Sequence, residues 1–202
     1  MRKNIIITGL PHCGKSTLLK KIISDIEKGK SKQSSFGLVT TEILEKPHRR
    51  IGFKMGFIEN ERNSRATEII TLKEWKNKPG LKNIGSYGVN LNIIAEICQA
   101  VHLNYEHLDF IPKILYLDEI GPMQVDVPEF QNLTEEFLDS EKVTLMTMAS
   151  CYYHNSEQHP FVTKLKKRED VRIIELYDHN REETEEGILE LIDRIQKEKI
   201  KK

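Results

Sequence analysis

The segment from Gly9 to Ser16 reads G-x-x-x-x-G-K-S and lies between an apolar run, Asn4 to Thr8, and a stretch with helical apolar spacing. A turn of this composition between a strand and a helix is the setting in which the motif forms a phosphate-binding loop. Gly9 and Gly14 let the backbone turn tightly, so that successive amides and the positive end of the following helix converge on a phosphate. The motif therefore predicts an α/β fold with an anion site where the first strand meets the first helix.

Side chains of the same loop are expected to bind charge and metal. Lys15 should reach the β- and γ-phosphates of a nucleotide, and the hydroxyl of Ser16 should hold Mg²⁺. The Cys13 thiol, beside a helix start and a lysine, is expected to be reactive. We predict that the whole loop and the residue after it bind the nucleotide: Gly9, Leu10, Pro11, His12, Cys13, Gly14, Lys15, Ser16 and Thr17.

A second apolar run, from Lys113 to Asp118, ends in the acidic pair Asp118 and Glu119. Ligands of open α/β sheets bind at the carboxyl ends of the strands, so we expect this pair to face the phosphate loop. Asp118 would hold the metal through water, and Glu119 would orient the attacking water or accept its proton. Such paired acids are typical of P-loop enzymes that hydrolyse ATP, whereas small-molecule kinases activate a substrate hydroxyl. The alternative is that Glu119 only caps the strand end or forms an ion pair there.

Strands and helices are predicted to alternate along the chain. Apolar runs predict strands over 36–41, 51–58, 67–72, 113–118, 143–148 and 171–176. Amphipathic spacing predicts helices after the phosphate loop, over 91–101 and 161–167, and from Pro128 and Asn180 onward. The segment 77–88, which is rich in glycine, is predicted to be a loop. This order predicts a single three-layer domain over residues 1–202, with a mostly parallel sheet, helices on both faces and a small antiparallel flap at approximately 44–82.

Composition limits the partners that we expect the chain to bind. Lys plus Arg and Asp plus Glu both number 31, so no overall charge favours nucleic acid or a membrane surface, and we expect neither as a partner. No stretch resembles a signal peptide or could span a bilayer. The three cysteines are widely spaced, which argues against a disulfide framework, and we therefore expect a cytoplasmic protein. The segment 44–82 carries ten basic and five acidic side chains, which indicates either a solvated face or a basic flap that recruits substrate.

Four further blocks, together with the phosphate loop, resemble the small P-loop nucleoside-triphosphatases first named from thermophilic organisms, called cancer-related nucleoside-triphosphatase in animals. The loop is similar to that family's G-x-P-G-x-G-K-T-T pattern, and the acidic strand is similar to D-E-I-G-x-M. The other blocks are similar to a G-F-x-T-x-E strand leading to R-x-G-F, to G-K-Y-x-V, and to an N-R pair after the last strand. The matching residues are Gly9, Pro11, Gly14, Lys15, Ser16, Thr17, Gly37, Thr40, Glu42, Arg50, Gly52, Phe53, Gly85, Tyr87, Val89, Asp118, Glu119, Ile120, Gly121, Met123, Asn180 and Arg181.

The resemblance implies a P-loop NTPase fold and roles for residues outside the phosphate loop. Arg50 is the best candidate to neutralise transition-state charge or to bind a second substrate group, with surface solvation as the alternative. Asn180 and Arg181 lie where a loop that contacts the base would be, and Asn180 is equally explained as a helix cap. The sequence departs from the family pattern at His12, where glycine is usual, and at Ser86, where lysine is usual.

These observations predict a nucleoside-triphosphatase that converts a nucleoside triphosphate (ATP, GTP and others) and water to the diphosphate and phosphate. The cofactor is expected to be Mg²⁺, held by Ser16 and Asp118, and the catalytic residues are expected to be Glu119, Lys15 and Arg50. We expect a monomer that binds a nucleoside triphosphate, with neither nucleic acid nor a membrane as a partner. Two alternatives stay open: a phosphotransferase that passes the γ-phosphate to a small nucleoside-like acceptor, and a slow nucleotide-dependent switch.

Two groupings of cysteine and histidine have spacings that could be drawn as metal sites. Cys98 and His102 are four residues apart, and Cys151, His154 and His159 lie close together in the chain. Neither grouping has the second cysteine pair that is typical of a structural zinc site. We therefore expect neither to hold a metal.

Overall fold

The computed structural model describes residues 2–28, 35–57, 67–108, 110–151 and 159–200. Within these ranges nine strands form one sheet. The strands are β1 (Asn4–Thr8), β2 (Ser35–Lys46), β3 (Arg49–Gly56), β4 (Glu68–Leu72), β5 (Lys82–Ile84), β6 (Tyr87–Val89), β7 (Ile114–Ile120), β8 (Val143–Met148) and β9 (Val171–Glu175). The helices are α1 (Lys15–Lys28), α2 (Leu91–Glu106), α3 (Pro128–Asp139), α4 (Pro160–Lys166) and α5 (Arg181–Ile200), and a short 3-10 helix covers Lys73–Trp75.

The sheet has a parallel part and an antiparallel part. Its strand order is β5-β6-β4-β3-β2-β7-β8-β1-β9. The strands from β2 to β9 in this order all pair in parallel, which confirms the predicted α/β class. The strands β3 to β6 add antiparallel pairs to the outer side of β2, so the predicted flap continues the main sheet. Ile58, the end of the second predicted strand, lies outside the described residues.

The segment 77–88 is not the loop that its glycines predict. The strands β5 and β6 form a hairpin there, with Ile84 opposite Tyr87 and two residues between them as the turn. Gly85 has a φ of 58°, the left-handed conformation that such a short hairpin turn favours. At Gly88 a Cβ would come within 2.1 Å of the carbonyl oxygen of Trp75. The glycines therefore belong to a hairpin and to a close backbone approach.

Helices cover both faces of the parallel part of the sheet. On one face Ile5 and Ile7 of β1 pack with apolar side chains of α1 and α5. On the other face Ile6 lies in a cluster that includes apolar side chains of α2, α3 and α4. Burial on both faces explains why these strands are apolar throughout. No helix in the described ranges is long and apolar enough to cross a membrane.

The strand order decides which residues meet at the carboxyl edge of the sheet. The phosphate loop follows β1, and the acidic pair lies near the end of β7. The strand β8 lies between these two strands, so its carboxyl end is between the phosphate loop and the acids. Three strand ends therefore converge on one site.

Candidate active site

The phosphate loop turns through backbone conformations that favour glycine. Gly9 and Gly14 have φ angles of 145° and 90°, and His12 has a φ of 66°. At Gly9 a Cβ would come within 2.4 Å of the Leu176 carbonyl oxygen, and at Gly14 within 2.6 Å of Arg181 Nη2. The backbone angles of both residues favour glycine, and at Gly9 the fixed Leu176 backbone also leaves no space for a side chain. His12 has a left-handed backbone conformation although it carries a side chain, at the position where the family pattern has glycine.

Lys15 begins α1, and its side chain folds back over the phosphate loop. Its Nζ donates to the carbonyl oxygen of Gly9 at 3.0 Å and to that of Leu10 at 3.1 Å. The side chain is buried, whereas Leu10 and Thr17 are exposed. These contacts hold a positive charge inside the loop, where charge-assisted hydrogen bonds to phosphate oxygens are strong.

Asp118 is the buried acid that faces the phosphate loop. Its Oδ1 accepts hydrogen bonds from Ser16 Oγ at 2.9 Å and from Thr147 Oγ1. Burial raises the pKa of Asp118 above its ordinary value, and the bonds from Thr147 and Ser16 oppose that shift. Oδ2 is buried and has no hydrogen-bond partner within the described part of the chain. An orphaned carboxylate oxygen beside a serine hydroxyl fits Mg²⁺, which takes few protein ligands and keeps several waters.

Glu119 follows Asp118 and is the second acid of the site. Burial raises the pKa of Glu119 to about 7, the charge of Asp118 adds to the shift, and Lys15 and Arg50 oppose it. Lys15 of the phosphate loop and Arg50 of the flap thus both act on the charge of Glu119. A carboxyl group whose pKa lies near neutrality suits proton transfer with water.

Arg50 lies on β3, where three side chains of the flap hold its guanidinium. Nη1 pairs with Glu42 Oε1 at 2.5 Å, and Nε donates to the Tyr87 hydroxyl at 3.0 Å. Its Cζ also lies 4.8 Å from the centroid of the Phe53 ring. These contacts fix Arg50 on the flap side of Glu119, so it is not a freely solvated surface arginine.

Sequence reasoning missed three polar residues of the site. Thr147 lies one residue before the end of β8 and bonds Asp118. Gln124 is buried and donates from Nε2 to Thr40 Oγ1 at 3.2 Å. Lys20 lies in α1, and its charge acts to lower the pKa of Asp118. The one available signal was Thr147, a polar residue near the carboxyl end of a strand that is otherwise mostly apolar.

The turn after β9 places Asn180 and Arg181 beside the phosphate loop. Asn180 Oδ1 accepts from the Tyr177 amide at 2.7 Å, and Nδ2 donates to the Glu175 carbonyl oxygen at 3.1 Å. The Asn180 side chain thus bonds backward into the turn, and the backbone carbonyl oxygen of Asn180 accepts from the Thr184 amide at 2.9 Å in the first turn of α5. Arg181 Nη2 donates to the Cys13 carbonyl oxygen at 2.7 Å, which joins α5 to the loop.

The Cys13 side chain is placed differently from the prediction. Its backbone belongs to the phosphate loop, but the side chain is buried in the core cluster with Ile7 and Leu19. The thiol is therefore packed beneath the loop and is not presented to reagents in the site. The expectation of a readily reactive Cys13 is wrong, because the thiol is buried and residue order alone does not specify which side of the loop it faces.

The cysteines and histidines elsewhere have other contacts. Burial raises the pKa of the Cys98 thiol to about 12, and the nearby His102 lies 2.8 Å from a carboxylate oxygen of Glu136. His159 Nε2 lies 3.1 Å from Asp126 Oδ1. His154 lies outside the described residues. Within the described ranges, no group of three or more histidine, cysteine or acidic side chains is arranged to hold a metal ion.

Comparison with known proteins gives consistent matches over nearly the whole chain. A model of the NTPase family matches residues 4–189. The nucleoside-triphosphatase THEP1 of Thermotoga maritima is 32% identical over 189 residues, which is 93% of this chain and 94% of that protein. THEP1 of Aquifex aeolicus is 28% identical over 193 residues, which is 94% of this chain and 99% of the relative.

A solved structure extends the likeness to the fold. The crystal structure of THEP1 from Aquifex aeolicus matches with a TM-score of 0.69 and 29% sequence identity. The match covers 94% of this chain and 98% of that chain. The sequence and the arrangement of strands therefore agree on the same family.

Proposed function

The chain belongs to the NTPase family and is a nucleoside-triphosphatase, and we propose that its hydrolysis of nucleoside triphosphates depends on Mg²⁺ and on Glu119. One observation carries this proposal: Ser16 bonds one oxygen of Asp118, the other oxygen is buried without a partner among the described residues, and Glu119 follows directly. A metal ligand and a proton acceptor thus occupy adjacent positions on one strand.

The phosphate loop and the metal ligands have separate roles in the proposal. The loop amides and Lys15 bind the phosphates, and Ser16 and Asp118 hold Mg²⁺. Mg²⁺ held by these residues would supply positive charge that neutralises the charge developing on the phosphates. Asp118 stays in place because Ser16 and Thr147 both bond its Oδ1.

Glu119 acts on water in this proposal, and the strand order supports that role. Because β8 lies between β1 and β7, the acidic strand is two strand spacings from the strand of the phosphate loop. Two spacings amount to roughly 10 Å, which leaves room for a water between the γ-phosphate and the Glu119 carboxylate. Glu119 orients that water and accepts its proton, and its pKa of about 7 allows both proton states near neutrality.

Arg50 completes the proposed catalytic group from the flap side. Its charge acts to lower the pKa of Glu119, and Glu42 and Tyr87 hold its guanidinium in place without a nucleotide. A preorganised guanidinium stabilises developing negative charge on the transferred phosphoryl group.

We also propose that the protein acts as a cytoplasmic monomer without a nucleic-acid partner. Light scattering would test the monomer, and a gel-shift assay with DNA and RNA would test the absence of a nucleic-acid partner.

The test of the proposal is phosphate release by the variant Glu119→Gln. We expect turnover to fall by about 100-fold or more while Mg-nucleotide binding, measured by calorimetry, stays close to wild type. The matched control is Glu190→Gln on α5, an exposed acid away from the site that should keep full turnover. Wild-type turnover in purified Glu119→Gln would refute the role of Glu119. The role of Mg²⁺ is tested by titrating the metal against wild type and Asp118→Asn. The variant should require a higher Mg²⁺ concentration for half-maximal phosphate release.

A further inference from the structure

The turn after β9 is packed directly against the phosphate loop. The strands β1 and β9 are in parallel register with Thr8 beside Glu175, and the Leu176 amide donates to the Thr8 carbonyl oxygen at 2.8 Å. At Gly9 a Cβ would lie only 2.4 Å from the Leu176 carbonyl oxygen. The backbone segments that follow β1 and β9 therefore remain in contact where they leave the sheet.

Two large apolar side chains follow this contact, one on each segment. Leu10 comes after Gly9 and is 61% exposed, and Tyr177 comes after Leu176 and is 41% exposed. The Tyr177 ring stacks on the His179 ring with centroids 5.5 Å apart and planes 13° from parallel. An aromatic pair and a leucine thus lie at the surface beside the loop that binds phosphate.

The turn that carries the aromatic pair is held by hydrogen bonds to its own backbone and to the phosphate loop. Asn180 bonds the Tyr177 amide and the Glu175 carbonyl oxygen, and Arg181 bonds the Cys13 carbonyl oxygen. The position of Tyr177 relative to the loop is therefore fixed. One oxygen lone pair and one N–H of the Asn180 side chain bond the turn, so this side chain holds the turn in place beside the loop.

We propose that Tyr177, supported by His179, is the platform on which the base of the bound nucleotide stacks, with Leu10 contributing apolar surface beside it. This inference rests on the proposed function, because it requires the phosphates to occupy the loop. Stacking uses the flat face that all bases share, and a platform without committed hydrogen bonds to the base edge discriminates weakly among them. The platform thus supplies affinity for the nucleoside part and little preference for one base.

Binding of Mg-ADP and of Mg-pyrophosphate to Tyr177→Ala separates base contacts from phosphate contacts. We expect the Kd for Mg-ADP, measured by calorimetry, to rise about tenfold, within the range for loss of one stacked base. The Kd for Mg-pyrophosphate, which has no base, should stay within about twofold. The KM values for ATP, GTP, CTP and UTP should rise together while kcat changes little.

Three further variants make the result specific. Tyr177→Phe keeps the ring and should retain Mg-ADP affinity. Tyr177→Leu keeps apolar bulk without the ring, and it allows the comparison of Mg-ADP with Mg-pyrophosphate binding should the alanine variant fail to fold. Phe110→Ala is the matched control, because Phe110 is 40% exposed and precedes β7 at the opposite edge of the sheet. It should bind both ligands as wild type does.

Two results would overturn the platform while leaving the proposed function intact. One is Tyr177→Ala and Tyr177→Leu binding Mg-ADP as tightly as wild type while Lys15→Ala weakens both ligands. The other is an equal loss of Mg-ADP and Mg-pyrophosphate in the Tyr177 variants, which would indicate damage to the loop. If Lys15→Ala weakens neither ligand, the nucleotide site itself is misplaced and the proposed function fails.

Discussion

Replacing Glu119 with glutamine should stabilise the metal-free protein at neutral and alkaline pH. The Glu119 carboxyl is buried beside Asp118, and its pKa in the folded protein is raised from 4.5 to about 7. The folded state therefore holds a proton that the unfolded chain releases at lower pH. Glutamine has a similar shape and no charge, so it avoids the cost of ionising a buried carboxyl group.

The magnitude and the sign follow from the two pKa values. Between about pH 4.5 and about pH 7 the folded state binds more protons than the unfolded state, so wild-type stability falls as pH rises. The shift from 4.5 to about 7 corresponds to about 3 kcal/mol of unfolding free energy, at about 1.4 kcal/mol for each pH unit. Below about pH 4.5 the carboxyl is protonated in both states and wild type loses nothing. The advantage of Glu119→Gln should therefore grow from near zero to about 3 kcal/mol across this window.

Urea unfolding in EDTA without nucleotide, measured from about pH 4 to about pH 8, is the assay. Other titrating groups are present in both proteins, so the difference between the two unfolding free energies reports on Glu119. Glu190→Gln, at an exposed position of α5, is the matched control for the substitution itself. A constant difference between Glu119→Gln and wild type across the range would show that Glu119 is not held in a desolvated, negatively charged environment.

Three other changes have definite expected outcomes. Lys15→Ala should weaken Mg-ATP binding in calorimetry and lower kcat/KM for phosphate release, because its charge acts in the ground state and the transition state; unchanged binding would contradict the loop assignment. Gly9→Ala should lower the free energy of unfolding in urea by about 3 kcal/mol, because the new Cβ meets the Leu176 carbonyl oxygen. Gly187→Ala on α5 has open space around it and should raise that free energy by about 1 kcal/mol. Equal effects of the two alanines would refute the steric argument. In thiol labelling followed by mass spectrometry, exposed Cys151 should react well before buried Cys13 and Cys98, and early labelling of Cys13 would show that its side chain is not in the core.

The parts of the site that follow from local sequence were predictable. A phosphate loop is defined by eight consecutive residues between a strand and a helix, and backbone geometry fixes what they do. The acidic pair was equally clear, because Asp118 ends a short run of apolar residues whose length is typical of a buried strand. The hydrogen bond from Ser16 to Asp118 then follows from the rule that parallel strands present their carboxyl ends at one edge.

The remaining features depend on contacts between distant segments. Thr147 matters because β8 was placed between β1 and β7, an order that hydrophobic patterning does not specify. The hairpin at Gly85 was interpreted as a loop, because strands of three residues are too short to show alternation. The orientation of the Cys13 thiol and the use of the Asn180 amide depend on side-chain geometry in the loop and turn.

The strand β2 has a mechanical consequence for the flap. Its first part, Ser35 to Val39, pairs with β7, and from Val39 to Lys46 it pairs with β3. One backbone therefore runs from the sheet that carries the acids to the strand pair that carries Arg50, with irregular pairing between Ile43 and Lys46. Moving β3 away from β2 would break the backbone hydrogen bonds that join them, so the position of Arg50 is coupled mechanically to the strand that pairs with β7.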